Sequence, residues 1–229
     1  MTAALRVAGV AVLADVSGAL FQPDTGTLIV ADLHLEKGSH FARRGQFLPP
    51  YDTRATLDRL IRAIRRFRPR HVVCLGDSFH DVDAGARLDP ADRDLLRRLV
   101  SAQDWTWIVG NHDREIPDGL GGSVAAAMDV AGGLRLTHLP GTAPATGEVC
   151  GHLHPKASIA TRAGRVTAAC FVTDGARMVM PAFGAFAGGL DCLDPAISGL
   201  FGPAGFRALM LGRERLHLVT RRQLAKPAK

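Results

Sequence analysis

The sequence predicts an α/β fold: one domain spanning residues 1–229 with a mixed sheet system. Between residues 28 and 109, short apolar runs alternate with two stretches of helical spacing. That order of strand, helix, strand, helix, strand builds parallel β-α-β units. After residue 120 the texture changes to short extended runs broken by turns, which makes the sheet system mixed. With 229 residues and 47% hydrophobic content, the chain suits a single substantial core.

Taken in order, Val10–Leu13, Ala19–Gln22 and Leu28–Val30 read as short strands, separated by the turn residues Asp15, Ser17-Gly18 and Pro23-Asp24. Residues 52–67 carry Leu57, Leu60, Ile61, Ile64 and Phe67 on one helical face and arginines on the other. Asp52 or Thr53 is the candidate cap of this helix, and Pro69 stops it. His71–Leu75 is a compact buried strand. Asp89-Pro90 opens a second helix over 90–100, with Leu95, Leu96, Leu99 and Val100 inward. Trp105–Val109 is the next strand, in which the two tryptophans read as core packing. Extended runs follow at 124–130, 134–138, 148–150, 166–173, 177–180, 206–211 and 215–219. The segment Pro181–Pro203 is too apolar for a free linker and reads as an ordered loop against the core.

No stretch approaches the ~18 uninterrupted apolar residues of a membrane span. The N-terminal residues also lack the pattern of a signal peptide, so the expectation is a cytoplasmic protein without a membrane partner. Cys74, Cys150, Cys170 and Cys192 form no CxxC pair, which points to reduced, buried thiols. The formal charge of +6 comes mostly from arginine. Arg62, Arg65, Arg66, Arg68 and Arg70 crowd one segment, and Arg207, Arg213, Arg215, Arg221, Arg222, Lys226 and Lys229 load the C-terminal region. A basic surface attracts polyanions, although composition alone favours a merely solvated arginine-rich surface.

Chemistry concentrates in five clusters: Asp32-Leu33-His34, Gly76-Asp77, Gly110-Asn111-His112-Asp113, His138, and Gly151-His152-Leu153-His154. Each falls where an apolar run ends, and together they hold five of the nine histidines. Imidazole nitrogens with carboxylate or amide oxygens suit Mn, Fe or Zn more than Ca. Two cations about 3.5–4 Å apart need a bridging ligand, which a carboxylate supplies. Asp32 and His34 alternate along an extended segment, as do His152 and His154. Each pair can face one centre only if a turn or bulge breaks the alternation. No pair is convincing alone; order and spacing carry the reading of a two-metal hydrolytic site.

The order DxH, GD, GNHD, H, GHxH resembles the calcineurin-like metallophosphoesterases over residues 32–154. The resemblance implies a four-layer α/β/β/α sandwich with two divalent metals, Mn first and Fe or Zn as alternatives, at the C-terminal ends of central strands. It implies that Asp32, His34, Asp77 and His154 hold one metal, and that Asp77 bridges to a second completed by Asn111, His138 and His152. His112 would act as acid or charge stabiliser, with Asp113 orienting its ring. Asp32-Leu33-His34-Leu35-Glu36-Lys37-Gly38, Gly76-Asp77-Ser78-Phe79-His80-Asp81, Pro181-Ala182-Phe183-Gly184 and Gly188-Gly189-Leu190 look like the bacterial DNA-ligase-associated subgroup. That subgroup implies a phosphodiesterase or endonuclease acting on DNA in repair, associated with a DNA ligase and a helicase. Relatives place a carboxylate three residues after the bridging Asp, whereas here Asp81 comes one position later.

Among the remaining residues, Arg43, Arg44 and His80 are candidate substrate contacts, and His40 is a candidate lining of the cleft. His71 and His217 read as structural, and Glu36 with Lys37 as a surface pair. Two other functions fit the same constellation. One is a small-molecule phosphatase or nucleotide hydrolase; the other is a non-catalytic binding scaffold, which the complete ligand set disfavours.

Overall fold

The computed structural model describes residues 1–49, 51–142 and 145–225. Four strands open the chain as an antiparallel meander: β1 (Thr2–Val7), β2 (Val10–Asp15), β3 (Leu20–Gln22) and β4 (Thr27–Val30). After β4 come two helices, α1 (Lys37–Ala42) and α2 (Asp52–Phe67), then β5 (His71–Leu75). The one-turn α3 (Ala84–Arg87), α4 (Pro90–Ser101), β6 (Asp104–Ile108) and β7 (Ser123–Ala125) follow. Strands β4, β5, β6 and β7 run parallel and complete a seven-stranded sheet in the order β1 to β7.

The second sheet is built from β8 (Ala127–Val130), β9 (Leu134–Thr137), β10 (Glu148–Cys150), β11 (Lys156–Thr161), β12 (Gly164–Thr173), β13 (Arg177–Val179), β14 (Arg207–Leu211) and β15 (Leu216–Thr220). Its order is β15-β14-β12-β13-β10-β9-β8, with β11 paired to β12. At its centre β9, β10 and β13 are parallel. The one-turn α5 (Pro195–Ser198) lies in the segment that leads to β14.

Alternation within the central strands explains why both sheet faces are apolar. Leu28 and Val30 of β4, and Val72 and Cys74 of β5, pack under Leu57 and Leu60 of α2 and Leu96 and Val100 of α4. Their neighbours Ile29, Val73 and Leu75 point the other way, onto Leu136, Val149, Phe171 and Met178 of the second sheet. The far face of that sheet carries Cys150, Cys170, Val172, Val179 and Met210, covered by Cys192, Ile197, Phe201 and Phe206. The layers are thus helices, sheet, sheet and a thin outer layer containing α5, in accord with the expected sandwich. Continuous apolar runs in β4 and β5 are the signature of strands buried on both faces.

Helix α2 has the predicted bounds, but neither Asp52 nor Thr53 caps it; the cap position is Tyr51. Both side chains reach instead into the turn that follows β4. Asp52 accepts the N–H of Gly38 at 2.9 Å, and the Thr53 hydroxyl accepts that of Glu36 at 2.9 Å. Asp89 caps α4 as expected, through the N–H of Ala91 at 2.8 Å. The extended run at 124–130 is two strands in different sheets: β7 extends the first and β8 opens the second. Strands β1 and β11 were not anticipated, since neither has a bounded apolar run. The 181–203 segment is ordered against the core, with the Phe183 N–H donating to Ala31 at 2.7 Å and the Cys192 N–H to Lys156 at 2.7 Å. The arginines at 62, 65, 66, 68 and 70 are exposed, and Arg66 pairs with Asp15 at 2.8 Å. Lys226 and Lys229 lie outside the described residues. Among the described residues, no helix is long and apolar enough to cross a membrane.

Candidate metal centre

Every chemical cluster leaves the C-terminal end of a parallel strand. The 32–34 segment follows β4, Asp77 follows β5, 110–113 follows β6, His138 follows β9 and 151–154 follows β10. Open α/β sheets bind ligands at this edge. The alternation problem in the two HxH-like segments is solved by the backbone. Asp32, His34, Asp77, His152 and His154 all have left-handed φ, at 54, 44, 46, 70 and 45°. Such conformations are uncommon for residues other than glycine and cluster where a site dictates them. They turn successive ligands of one segment toward a common centre. Glycines around the centre give room: a Cβ on Gly110 would fall onto the Asp77 carboxylate, and one on Gly151, before His152, would lie 2.7 Å from Asp32 Oδ2.

Two groups of donors result, Asp32 with His34 and His154, and Asp77 with His138 and His152, each with its ligand atoms within 4.8 Å of one another. In the first, His34 Nε2 and His154 Nε2 stand 3.3 Å apart, and Asp32 Oδ1 is 3.4 Å from His154 Nε2. In the second, His138 Nδ1 donates to the Leu75 carbonyl at 2.9 Å, which leaves Nε2 to the site in the neutral ring. Around that nitrogen gather Asn111 Oδ1 at 2.9 Å, His152 Nδ1 at 3.2 Å and Asp77 Oδ1 at 3.4 Å. The two groups are tied together, because both Asp32 oxygens accept the N–H of His152, at 3.1 and 2.9 Å.

This convergence of lone pairs is the test of fit. Nitrogens and oxygens with few protons to share repel one another unless a cation lies between them, and the N and O donors suit Mn, Fe or Zn. Burial above all, then His154, lowers the pKa of His34 to about 2, so its ring is neutral and ready to ligate. Burial acts to raise Asp77, but hydrogen bonds from His138 and the His112 N–H, with the charges of His138 and His34, bring it down to about 2. Asp77 therefore sits within the field of rings from both groups. Burial opposes charge on His138 too, yet the Asp77 bond and the charges of Asp32 and Asp77 raise its pKa.

His112 lies exposed at the mouth of the centre, next to Asn111. Its ring is not oriented by Asp113, contrary to expectation. His112 Nδ1 donates to the His80 carbonyl at 2.8 Å, which leaves Nε2 for an external partner. Asp113 is buried and holds the loop of Asp77 instead. Its Oδ1 accepts from Asp77 and Gly110, at 2.9 and 3.0 Å, and its Oδ2 from Ser78 and Phe79, at 2.6 and 3.1 Å. Burial pushes Asp113 up to about 6, with the Phe79 N–H opposing and the Asp77 charge adding.

His80 stands beside the donors. Its Nδ1 is 3.3 Å from His34 Nδ1, and its ring stacks on His112 with centroids 5.3 Å apart and an interplanar angle of 17°. His40 is one histidine further out, with ring centroid 4.7 Å from that of His80. Its Nδ1 meets Asp81 Oδ2 at 2.5 Å, and Asp81 also receives both Arg87 amino groups at 2.9 and 2.7 Å. The displaced carboxylate thus does have a role, holding His40; Arg87, its clamp, carries no motif that sequence reading would flag. Arg43 and Arg44 line an outer recess with His40, Asp81 and Asp83 rather than the donor cluster. Arg43 faces Asp83 across 3.6 Å at the surface, a contact of little energetic weight. Glu36 is buried and accepts from Thr53 at 2.9 Å, so it forms no surface pair with Lys37. His71 bonds Thr106 at 2.8 Å, and Trp105 and Trp107 are core residues, as expected, while His217 is exposed on β15.

Fold and donor geometry together define a phosphoesterase built on a dinuclear metal centre. The chain belongs to the calcineurin-like phosphoesterase family, whose pattern matches residues 26–159, more than half of its length. Among solved structures it is similar to the Pseudomonas putida nuclease MPE, at 27% identity and a TM-score of 0.73, covering 95% of this chain and 100% of that one. The Escherichia coli phosphoesterase Yfce aligns at 15% identity and a TM-score of 0.41, over 84% of this chain and 97% of that one. None of the curated proteins matches the sequence significantly.

Proposed function

We propose that the protein is a two-metal-dependent phosphodiesterase whose substrate is DNA. The observation that carries the DNA reading is the end-to-end likeness to a nuclease, 95% of this chain on 100% of that one. In this proposal Asp32, His34, Asp77 and His154 hold one divalent cation, and Asp77, Asn111, His138 and His152 hold the other. When bound, two such cations, Mn here with Fe or Zn as the other candidates, neutralise phosphoryl oxygens and lower the pKa of a water to a useful nucleophile.

The chain's own residues do the rest. The Leu75 carbonyl fixes the tautomer of His138, and His80 faces the far nitrogen of His34, so both rings present a chosen nitrogen to the centre. His112 keeps the proton at Nδ1 on the His80 carbonyl, so in its imidazolium form it would pass the second proton, at Nε2, to the departing alkoxide. His80, stacked against it, contacts the same phosphate. The 32–38, 76–81 and 181–190 segments further motivate a repair context alongside a DNA ligase and a helicase. A test of that context is whether a ligase reseals the cleavage products.

The primary experiment is hydrolysis of single-stranded DNA, a cyclic nucleotide and a mononucleotide with added Mn, for wild type and Asp77→Asn. The expected result is Mn-stimulated DNA cleavage that falls by more than about 100-fold in Asp77→Asn. Full activity in the variant overturns the two-metal assignment. Turnover of monoesters alone makes the protein a small-molecule phosphatase instead.

A further inference from the structure

Two recesses border the donor cluster, and the one beside the first donor group is the more basic. It encloses about 370 Å³, shares His154 with the first donor group, and is walled by Arg59 and Lys156. Ala182, Ala185 and Ala187 give it a small-residue lining. Arg59 donates to the Phe183 carbonyl at 2.8 Å and so also holds the turn that shapes this wall. Lys156 is half-buried at the start of β11, and among the described residues neither it nor Lys37 forms an ion pair. Burial lowers the pKa of Lys37; Asp52 opposes the shift, and the Lys156 ammonium adds a smaller lowering. Partly desolvated positive charge is costly, and here two lysines, of which Lys37 also feels Asp52, collect at the edge of a phosphoester site.

Other recesses differ: the one beside Asn111 and His138 holds a single cation, Arg114, with an apolar rim of Val109, Ala126 and Leu139. The one holding Arg43 and Arg44 contains Asp81 and Asp83, which compensate its charge. The one formed by Arg207, Arg221 and Arg222 shares no residue with the donors.

We infer that the recess walled by Lys156 and Arg59 is a strand subsite, taking the nucleotide and phosphate that flank the scissile phosphodiester, with Lys156 as the phosphate contact. The inference rests on the nucleic-acid reading above. Small side chains leave space for a sugar and base, and the volume lies within the range of ligand sites, about 300–1,000 Å³. Lys156 acts as a point charge, which positions a backbone without reading its bases.

The test compares dithymidylate bearing no terminal phosphate, a 5′-phosphate or a 3′-phosphate, with bis(p-nitrophenyl) phosphate as a minimal diester. Wild type should prefer one phosphorylated dinucleotide by about tenfold in kcat/KM, carried by KM. In Lys156→Ala and Lys156→Gln that preference should vanish, and the slope of log KM against log salt for an oligonucleotide should drop by about 1. Metal content and thermal midpoint, measured on each variant, monitor folding. Equal losses on the dinucleotides and the minimal diester would assign Lys156 to the metal centre and overturn the subsite. Wild type that cleaves DNA but ignores terminal phosphates overturns the subsite alone. Wild type that hydrolyses the minimal diester but no DNA overturns the nucleic-acid reading, and the subsite with it.

Discussion

Asp77 and Asp113 clasp each other's loops through the backbone. Asp113 Oδ1 accepts the N–H of Asp77 at 2.9 Å, while Asp77 Oδ1 accepts the N–H of His112, beside Asp113, at 2.9 Å. The loops after β5 and β6 are thereby fixed to one another, and the carboxylate between the two donor groups inherits that rigidity. Preorganised ligands of this kind avoid reorganisation when charge develops in the reaction.

Removing the clasp is expected to cost both stability and activity. Asp113→Ala leaves the N–H groups of Asp77, Ser78, Phe79 and Gly110 without their acceptor. Each buried donor left unsatisfied costs about 1–3 kcal/mol, partly relieved by entering water, so a loss of at least ~3 kcal/mol should appear in the urea midpoint. Metal content should fall in parallel. A variant of wild-type stability with diminished turnover would instead return Asp113 to a direct catalytic role.

His112 should matter in proportion to the difficulty of the leaving group. General acids contribute about 10²–10⁴-fold to reactions that need a proton on the departing oxygen. His112→Ala should therefore lose at least ~100-fold on a nucleotide diester, yet far less on bis(p-nitrophenyl) phosphate, whose leaving group departs as a stable anion. The side chain is exposed, so its removal leaves the core packing intact. Equal losses on both substrates would mean that it stabilises charge and does not transfer a proton.

The Asp81 network gives a pH test on stability. Burial acts to raise the Asp81 pKa, but the Arg87 and His40 hydrogen bonds outweigh it and bring the carboxyl to about 2. A carboxyl depressed on folding contributes stability above its unfolded value of about 3.9, and loses that contribution as pH falls through the folded value. Metal-free Asp81→Asn should be less stable than metal-free wild type at pH 7, on the order of 1–2 kcal/mol. The gap should narrow between pH ~4 and ~2 and close below. Urea titrations at pH 7 and 3 read it directly; a gap independent of pH would show that the ion pairs are not its source.

The order of clusters was legible because each sits at the end of an apolar run, and apolar runs mark buried parallel strands. Helix α2 was legible from Leu57, Leu60, Ile61 and Ile64 at helical spacing, and the need to break the Asp32–His34 alternation was legible from the period of a strand. The left-handed φ values that break it were not, since Asp and His carry no such mark in sequence. Nor was the fate of Thr53, which resembled a cap but bonds Glu36 across a turn. Its partner is set by tertiary packing, which local propensity does not encode. The same holds for Asp113: the resemblance assigned it to the His112 ring, while the fold brings it three backbone donors from the Asp77 loop and one from Gly110 of its own loop. Strand β1 lacked a signal because it is an edge strand with only Val7 fully buried.

Metal removal should expose how much of the fold's upper edge depends on cations. Without one, His34 Nε2 faces His154 Nε2 at 3.3 Å, and His138 Nε2 faces Asn111 Oδ1 at 2.9 Å and Asp77 Oδ1 at 3.4 Å. The metal-free protein can relieve the second contact by protonating His138: burial of that ring opposes the charge, but the Asp77 bond and the charges of Asp32 and Asp77 outweigh it and raise its pKa. An ion that binds the folded chain alone at about 100 times its Kd adds about 2.7 kcal/mol per site. At ~2–4 °C per kcal/mol for a chain of this size, stripping two sites should lower the Tm by roughly 10–20 °C, restored by Mn. The shift should grow with the logarithm of free Mn, as linkage requires, and shrink in His138→Ala, which loses a donor from one group. A Tm that does not move on chelation, with no metal released into the dialysate, would mean that the donors meet without holding ions.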